Sequence, residues 1–237
     1  MVGIGKYKHI FFDLDHTLWD FDRNSRATLT DLLAEYRQDI KRDMGINDFF
    51  PTYWEINQNL WKEYRENRID VKTLRKKRFR TTFEVLEVDA ANWIEGFEEG
   101  YMARCPQQPH LIPGALDLLQ YLQDKVHLHI ITNGFPDTQG TKLSCSGIGD
   151  FFKTVVTSAS IGVKKPNPAI FHFALDRAGA STRNSIYIGD SYEADVKGGV
   201  QAGWDVVYYN PHKNKNPLGV PEVSHLNELR SFFKNNT

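Results

Sequence analysis

Two aspartates separated by a single residue, Asp13 and Asp15, directly follow the short apolar run 9–12. Side chains at positions i and i+2 of a strand point to the same face, so both carboxylates reach one site if the strand continues through them. A carboxylate can act as a nucleophile that forms a covalent phosphoryl intermediate, and a second one beside it can act as general acid and base. An isolated pair is more typical of a solvated turn after a strand, so the rest of the chain decides its interpretation.

Possible phosphate-binding residues follow two later strand-like segments. Thr132 and Asn133 precede Gly134, and a hydroxyl with the backbone N–H groups after it is suited to holding phosphoryl oxygens. The same three residues also form ordinary turns after strands. Lys165 lies in a loop directly before Pro166, which restrains the backbone and could place an ammonium group near a phosphate and a carboxylate.

Two more aspartates complete the candidate set. Asp190 follows Gly189 at the end of a further strand-like segment. It could form an oxygen site for Mg²⁺ with Asp13 and with Asp15, the latter through its backbone carbonyl, because magnesium favours one or two carboxylates, water and phosphate oxygens. Asp195, about one helical turn further on, could orient a metal-bound water or the lysine. The dipole at a helix N-terminus explains an acidic residue there almost as well.

Short segments rich in β-branched and aromatic residues predict parallel strands, and several of them end in the residues described above. The predicted strands are Tyr7–Leu14, Val126–Thr132, Thr154–Thr157, Ser185–Ile188 and Val206–Tyr209. Segments with helical periodicity lie between them, at 114–123, 138–146, 169–179 and 193–202, and an exposed loop at 210–221 precedes a final helix near 226–233. Strands that alternate with helices of this length are typical of an α/β fold with a doubly wound parallel sheet.

The alternation is interrupted between residues 21 and 105, where no strand pattern occurs. Periodic apolar positions predict helices at 26–37, 50–67, 71–87 and 90–102. We therefore predict two domains: residues 1–20 and 106–237 form the core, and residues 21–105 form an inserted helical domain. We expect the inserted helices to cover the reactive edge of the sheet.

Charge and composition narrow the class of partner. The chain has 29 basic and 30 acidic residues, so it lacks the basic excess of proteins that bind a nucleic-acid polymer. No apolar stretch approaches the roughly 20 residues of a membrane span, and the N-terminus lacks a secretory signal, so we expect a cytoplasmic protein. Cys105 and Cys145 fit neither a metal-binding spacing nor a disulfide framework, so we expect both thiols to be reduced. No pattern predicts the oligomeric state.

The order of these motifs resembles the haloacid dehalogenase-like (HAD) phosphohydrolase superfamily, in which D-x-D-x-T is followed by a strand ending in Thr or Ser, then Lys-Pro, then Gly-Asp with a further Asp. The resemblance covers the whole chain. It implies a Rossmann-like core, a mobile helical cap inserted after the first motif, and Mg²⁺ as cofactor. It implies that Asp13 is the nucleophile and Asp15 the general acid and base. It further implies that Thr132 and Lys165 stabilise the phosphate and the intermediate. Asp190 would be the metal carboxylate, and Asp195 would support these residues without contacting the substrate.

Several other activities share this fold. Dehalogenases of the superfamily replace the second Asp of the first motif, which this chain keeps as Asp15, so phosphate ester hydrolysis is favoured over carbon–halogen cleavage. Phosphomutases usually carry Gly-Val where this chain has the sequence His16-Thr17-Leu18. A sugar-phosphate phosphatase remains an alternative. A non-catalytic binding protein is the other, but it would not need both carboxylates of the first motif.

Within the superfamily, the chain is similar to the bacterial pyrimidine 5′-nucleotidases that hydrolyse nucleoside monophosphates, including noncanonical ones. The similarity rests on segments 11–13, 17–22, 59–64, 130–135 and 162–163, whereas Lys164 departs from the small residue expected there. It implies a nucleotide as the phosphomonoester substrate. A nucleobase needs a stacking surface, and aromatic stacking is worth roughly 1–3 kcal/mol per base. Candidates for that surface are Trp19, Phe21, Trp54, Trp61 and Tyr64, although aromatic residues at helical spacing more often form a helical core.

Overall fold

The computed structural model of the chain describes residues 5–235. The chain forms two compact units. One is built from both ends of the chain, up to Phe21 and from Pro109 onward, and the other is the intervening segment Asp22–Gln108. Residues 1–4 and 236–237, which the predicted core domain includes, lie outside the described residues. Every helix within residues 5–235 is too short or too polar to span a bilayer.

The first unit contains a six-stranded parallel sheet, which confirms the predicted α/β fold. Its strands are β1 (His9–Phe12), β2 (His127–Thr132), β3 (Phe152–Thr157), β4 (Ser185–Gly189), β5 (Asp205–Tyr209) and β6 (Glu222–Val223). Their order is β3-β2-β1-β4-β5-β6. The chain extends the sheet from β1 to β3 and then returns to add β4 on the other side of β1. The carboxyl ends of β1 and β4 therefore form the switch point at which open α/β sheets bind ligands.

Helices connect these strands and fill the insertion. In chain order they are α1 (Phe21–Glu35), α2 (Arg37–Ile40), α3 (Ile46–Arg65), α4 (Val71–Val85), α5 (Ile94–Arg104), α6 (Ala115–Leu122), α7 (Pro136–Cys145), α8 (Pro168–Ala178), α9 (Lys197–Gln201) and α10 (Glu228–Asn235). Helix α8 packs on β2 and β3, and α9 packs on β5. Between helices and sheet lies a buried apolar layer that includes Phe11, Phe171, Tyr187 and Trp204. Burial of these large side chains is the main force that holds the strand ends in place.

Strand β1 ends earlier than the sequence predicts. It stops at Phe12 rather than Leu14, because the chain then folds into a turn in which the N–H groups of Leu18 and Trp19 both donate to the carbonyl of Leu14, at 2.9 and 2.8 Å. The two aspartates of the first motif therefore lie on this turn, beyond the strand. The alternation of a strand does not determine where their side chains point.

Other elements differ from the prediction as well, including the predicted helix 26–37, which is observed as α1 followed by the separate short helix α2. The predicted helix 193–202 begins as one wide turn of π-helix, Tyr192–Val196, and only then continues as α9. Strand β6 follows the predicted loop 210–221 and has two residues, too few to show a periodic pattern. Within the described residues neither cysteine forms a disulfide; Cys105 is buried and Cys145 is exposed.

The second unit is helical, as predicted, and is built around aromatic side chains. Tyr53 of α3 and Phe79 of α4 stack nearly parallel with their ring centroids 5.4 Å apart. Tyr101 of α5 meets Phe79 edge-on at 4.9 Å, and its hydroxyl lies 3.0 Å from that of Tyr53. Burying two tyrosines is tolerable because each hydroxyl has a hydrogen-bond partner. Most aromatic residues of this segment therefore form its core.

Candidate active site

Three carboxylates converge at the switch point. Asp13 follows β1 and Asp190 follows β4, and the backbone N–H of Asp13 donates to the carbonyl of Ile188 at 2.9 Å, which keeps the two strand ends in register. Carboxylate oxygens of Asp13, Asp190 and Asp195 lie within 4.8 Å of one another. Thr17 donates from its hydroxyl to Asp190 Oδ1 at 3.1 Å. The residues that sequence reasoning placed after two separate strands are thus neighbours here.

A buried lysine joins two of these carboxylates. Lys165 is 2 % exposed, and its Nζ lies 2.6 Å from Asp13 Oδ1 and 2.7 Å from Asp195 Oδ1. It also lies 2.9 Å from the carbonyl of Ile131 and 2.8 Å from the hydroxyl of Tyr187. An ammonium group has three hydrogens, so these four oxygens use its full donor capacity. The Tyr187 hydroxyl in turn donates to Asp195 Oδ1 at 2.8 Å.

Asp195 is committed to this network. Its Oδ1 accepts from Lys165 and Tyr187, and its Oδ2 accepts from the backbone N–H of Ser191 at 2.9 Å. The wide turn 192–196 and the adjacent glycine make this possible, because a Cβ at Gly189 would lie 2.5 Å from the Asp195 carboxyl group. Both oxygens are occupied, so Asp195 serves to hold the lysine.

Asn133, which the sequence suggested as a phosphate ligand, binds the lysine backbone. Its Oδ1 accepts from the Lys165 N–H at 2.8 Å, and its Nδ2 donates to the Lys165 carbonyl at 3.0 Å. Both ends of the amide are therefore used for positioning. The neighbouring Thr132 is buried, and its hydroxyl accepts from the Gly134 N–H at 2.9 Å, which leaves its own hydrogen available to donate to a phosphoryl oxygen.

The electrostatics of the cluster favour a cation. Burial raises the pKa of Asp13 to about 8, opposed by Lys165 and reinforced by Asp195 and Asp190. Burial and the charge of Asp195 likewise raise the pKa of Asp190 to about 7. Burial by itself would lower the pKa of Lys165, but Asp13 and Asp195 outweigh it and the pKa is raised. Three carboxylates against one ammonium leave an excess of negative charge that a divalent cation would neutralise.

The donor set suits magnesium. Hard oxygen ligands, with one or two carboxylates and room for water, are what Mg²⁺ requires. Asp13 and Asp190 are the carboxylates that would hold it, since Asp195 is occupied by its hydrogen bonds. The side chain of Asp15 turns elsewhere, so the carbonyl of Asp15 stays the predicted third ligand.

Sequence reasoning missed the partner of Asp15. Lys142 on α7 is 6 % exposed, and its Nζ lies 2.6 Å from Asp15 Oδ1. The same Nζ lies 4.5 Å from the centre of the Trp19 ring. No sequence signal marked this pair: α7 carries polar residues on several faces, and only the structure shows that the face with Thr138, Gln139 and Lys142 is buried.

Burial separates the aromatic candidates for base binding. Trp19 is 0 % exposed, Phe21 is 9 % exposed and Tyr64 is 8 % exposed. A ring with no free face has no surface to offer to a base. Trp54 and Trp61 on α3 are partly exposed. They are the two candidates whose rings remain accessible.

Comparisons with known proteins identify the family. Residues 7–203 match the family of haloacid dehalogenase-like hydrolases. The pyrimidine 5′-nucleotidase YjjG of Escherichia coli is 33% identical over 232 residues, which cover 96% of this chain and 98% of that protein. The pyrimidine 5′-nucleotidase PynA of Streptococcus pneumoniae is 34% identical, with 89% of this chain and 86% of that protein covered. A crystal structure of the HAD-hydrolase YfnB from Bacillus subtilis, bound to magnesium, matches with a TM-score of 0.85 at 31% identity and covers 96% of this chain and 98% of that one.

The family match spans every strand-end residue described above, from Asp13 to Asp195. The resemblance inferred from the order of the motifs is confirmed. By its sequence, its sheet order and the length of these matches, the chain belongs to the haloacid dehalogenase-like hydrolases.

Proposed function

We propose that this chain is a Mg²⁺-dependent phosphomonoester hydrolase that forms an aspartyl-phosphate on Asp13 and acts on pyrimidine nucleoside monophosphates. The observation that carries the chemistry is the buried contact of 2.6 Å between Lys165 Nζ and Asp13 Oδ1, at the switch point and beside Asp190. The contact fixes a carboxylate beside a positive charge. That is the arrangement needed to attack an anionic phosphate, because the ammonium offsets the repulsion between the two anions.

The reaction follows from two carboxylates with separate tasks. An oxygen of Asp13 attacks phosphorus and forms a new O–P bond, while the bond between phosphorus and the ester oxygen breaks. Asp15 gives its proton to the departing oxygen, which leaves as an alcohol. Water then attacks phosphorus, Asp15 takes a proton from that water, and the bond to Asp13 breaks to release phosphate. General acid–base catalysis of this kind contributes about 10²–10⁴-fold.

The remaining residues bind the phosphoryl group and the metal. Asp13 and Asp190 would hold Mg²⁺, which when bound supplies positive charge to the phosphoryl oxygens. Lys165 supplies the second positive charge, and Thr132 a hydroxyl donor. Asp195 and Asn133 keep the lysine in place through the contacts described above.

The substrate class rests on the relatives and on the second unit. YjjG and PynA, both pyrimidine 5′-nucleotidases, are 33% and 34% identical to this chain. Trp54 and Trp61 on α3 supply partly exposed aromatic surface that could stack on a base. A base stacked on one such ring gains roughly 1–3 kcal/mol.

The test is a hydrolysis assay with Mg²⁺ across UMP, CMP, dTMP, AMP, glucose 6-phosphate and p-nitrophenyl phosphate. We expect the highest kcat/KM for the pyrimidine nucleotides, and a loss of about 10⁴-fold or more in kcat on every substrate in Asp13→Asn. Preference for glucose 6-phosphate would contradict the nucleotidase assignment and leave the chemistry intact. Full activity of Asp13→Asn would contradict the nucleophile.

The stacking residues are tested separately. Replacing Trp61 or Trp54 with Ala should lower kcat/KM for UMP about 10-fold, while that for p-nitrophenyl phosphate changes less than about 2-fold, since the small ester has no base. Trp93→Ala, at a partly exposed tryptophan of the same unit, is the control. Equal losses on both substrates in the Trp54 and Trp61 variants would show that these rings only support the fold.

A further inference from the structure

Lys142 is a buried lysine to which the reaction above assigns no task. It lies on α7, the helix that follows the Thr132 loop, and only 8 % of its side chain is exposed. Its Nζ donates to Asp15 Oδ1 at 2.6 Å. An ammonium group is costly to bury without a partner, so this position is specified by the contact that it makes.

Aromatic rings hold the lysine from its other side. The Nζ lies 4.5 Å from the centre of the Trp19 ring and 5.9 Å from that of Phe21. A cation near an aromatic face is stabilised by the ring quadrupole, and more so when both are shielded from water. Trp19 itself is fully buried, so it provides a fixed surface for the ammonium group.

Within residues 5–235, the Asp15 carboxylate is held by Lys142 and not by a backbone N–H group. It lies on the turn after β1, beside His16 in the left-handed conformation (φ 66°), and 22 % of its side chain is exposed. A carboxyl group in this setting has several accessible orientations. A proton donor must point at the departing oxygen, and displacement of about 1 Å can cost about 10²-fold in rate.

We propose that Lys142 is a positioning residue for Asp15: with Trp19 behind it, the lysine fixes the carboxyl group that protonates the leaving oxygen and later receives the proton of water. This proposal rests on the proposed function. The bonds that form and break are those described above, and Lys142 adds no proton or electron to them. It acts through Asp15 alone.

The test uses the dependence on the leaving group. Lys142→Met keeps the length of the side chain and removes its charge. A nucleoside leaves as an alkoxide that must be protonated, whereas 2,4-dinitrophenolate leaves without a proton. In rapid-quench measurements of the first turnover, we expect the release of uridine from UMP to slow about 10- to 100-fold. The release of 2,4-dinitrophenolate from its phosphate ester should slow less than about 3-fold. KM should change less than about 3-fold.

Two further variants keep the test decisive. Lys142→Arg retains the charge. On a logarithmic scale, it should restore at least about half of the decrease in the rate of uridine release that Lys142→Met causes. In an Asp15→Asn background, Lys142→Met should change the uridine rate less than about 2-fold, since a residue that acts through Asp15 has nothing left to position. Lys197→Met, which removes an exposed pair with Glu193, is the matched control and should leave all rates unchanged.

The outcomes separate this proposal from the one on which it rests. Equal slowing of both leaving groups in Lys142→Met, or no slowing of either, would overturn the positioning role. An additive effect of Lys142→Met in the Asp15→Asn background would overturn it as well, and this comparison remains informative even if the single variant is less stable. If Asp15→Asn itself slows UMP and the dinitrophenyl ester equally, Asp15 is not the acid, and the proposed mechanism fails whatever Lys142 does.

Discussion

The two ends of the parallel sheet both bury polar side chains, and they do so in opposite ways. At the amino ends, His9 Nδ1 lies 3.1 Å from His129 Nε2, and His129 Nδ1 lies 2.8 Å from the hydroxyl of Thr154. Burial, together with His9 and His127, lowers the pKa of His129 to about 3. These buried histidines therefore stay neutral at neutral pH, and their hydrogen bonds are satisfied by one another and by Thr154.

The carboxyl ends bury ionisable groups instead. Asp13, Asp190 and Asp195 lie together with Lys165 as the buried counter-charge, and the pKa values of Asp13 and Asp190 are raised. Such a cluster is destabilising by itself and becomes favourable when a cation binds. The histidine end therefore contributes to folding alone, whereas the aspartate end is arranged for a ligand.

The largest expected effect comes from removing the counter-charge. Lys165→Met leaves Asp13 and Asp195 buried without a cation, and breaking a buried ion pair costs about 3–5 kcal/mol. We expect the free energy of unfolding at pH 8 in EDTA, measured in urea, to fall by about this amount. Lys164→Met, at the neighbouring and partly exposed lysine, should change it by less than about 1 kcal/mol.

A second substitution sharpens this prediction. Adding Asp195→Asn to Lys165→Met removes one of the stranded charges and should recover at least about 1 kcal/mol. If the double variant is less stable than Lys165→Met, the aspartate end is held by hydrogen-bond geometry and not by the balance of charge.

A smaller effect is expected at Asp190. Its folded pKa is raised to about 7 from an ordinary value of 3.8, so its ionisation costs stability as the pH rises through this range, and the contribution of Asp190 to the stability of the metal-free protein is lower at pH 8 than at pH 5. Asp190→Asn removes that cost. Because Asp190 is partly exposed, we expect a gain of about 1 kcal/mol at pH 8 in EDTA, with Mg²⁺ affinity reduced at least about 10-fold by calorimetry.

The control for this prediction is the same pair of proteins at pH 5. There Asp190 is largely protonated in the folded protein, so most of the cost is absent and the unfolding temperatures of the wild type and Asp190→Asn should differ less than at pH 8. A gain in stability that is equal at both pH values would show that the carboxylate is not the source of the cost.

The smallest effect is expected at the histidine end. There the stability falls as the pH is lowered, whereas the contribution of Asp190 falls as the pH is raised. The folded pKa of His129 is about 3, below its ordinary value of 6.5, so the unfolded chain takes up the proton first and stability falls as the pH drops below 6.5. Between pH 6.5 and 5.5 this costs about 1 kcal/mol. His129→Gln should flatten this loss in thermal unfolding, whereas His212→Gln, at an exposed histidine, should not. Parallel pH profiles for the wild type and His129→Gln would mean that the histidine end does not behave as a neutral cluster.

The parts of the fold and of the site that the sequence predicts are those that depend on residues close together in the chain. Asp13, Thr132 and Asp190 were identifiable because each directly follows an apolar segment, and the carboxyl ends of parallel strands meet at one edge of a sheet. The alternation of strands and helices likewise predicted the α/β fold. Both kinds of inference use only residues that are close together in the chain.

The missed features depend on contacts between distant segments. The pair formed by Lys142 and Asp15 joins residues 127 positions apart and is set by the rotation of α7. The task of Asn133 depends on a loop that returns 32 residues later. The early end of β1 was missed because the turn after it uses the carbonyl of Leu14, a contact that no periodicity reveals.

The two hydrogen bonds between the Asn133 side chain and the Lys165 backbone also affect how such an enzyme can change over evolution. The amide binds both the N–H and the carbonyl of the lysine, so the ammonium group takes its position from the end of β2. The segment between β3 and the lysine, residues 158–163, therefore does not have to define that position. We expect its exposed part, around Ala159, to tolerate insertions and altered composition, whereas the buried Ser158 and the core-packed Ile161 and Val163 are constrained. That part can diversify while the charge that the chemistry needs stays where it is.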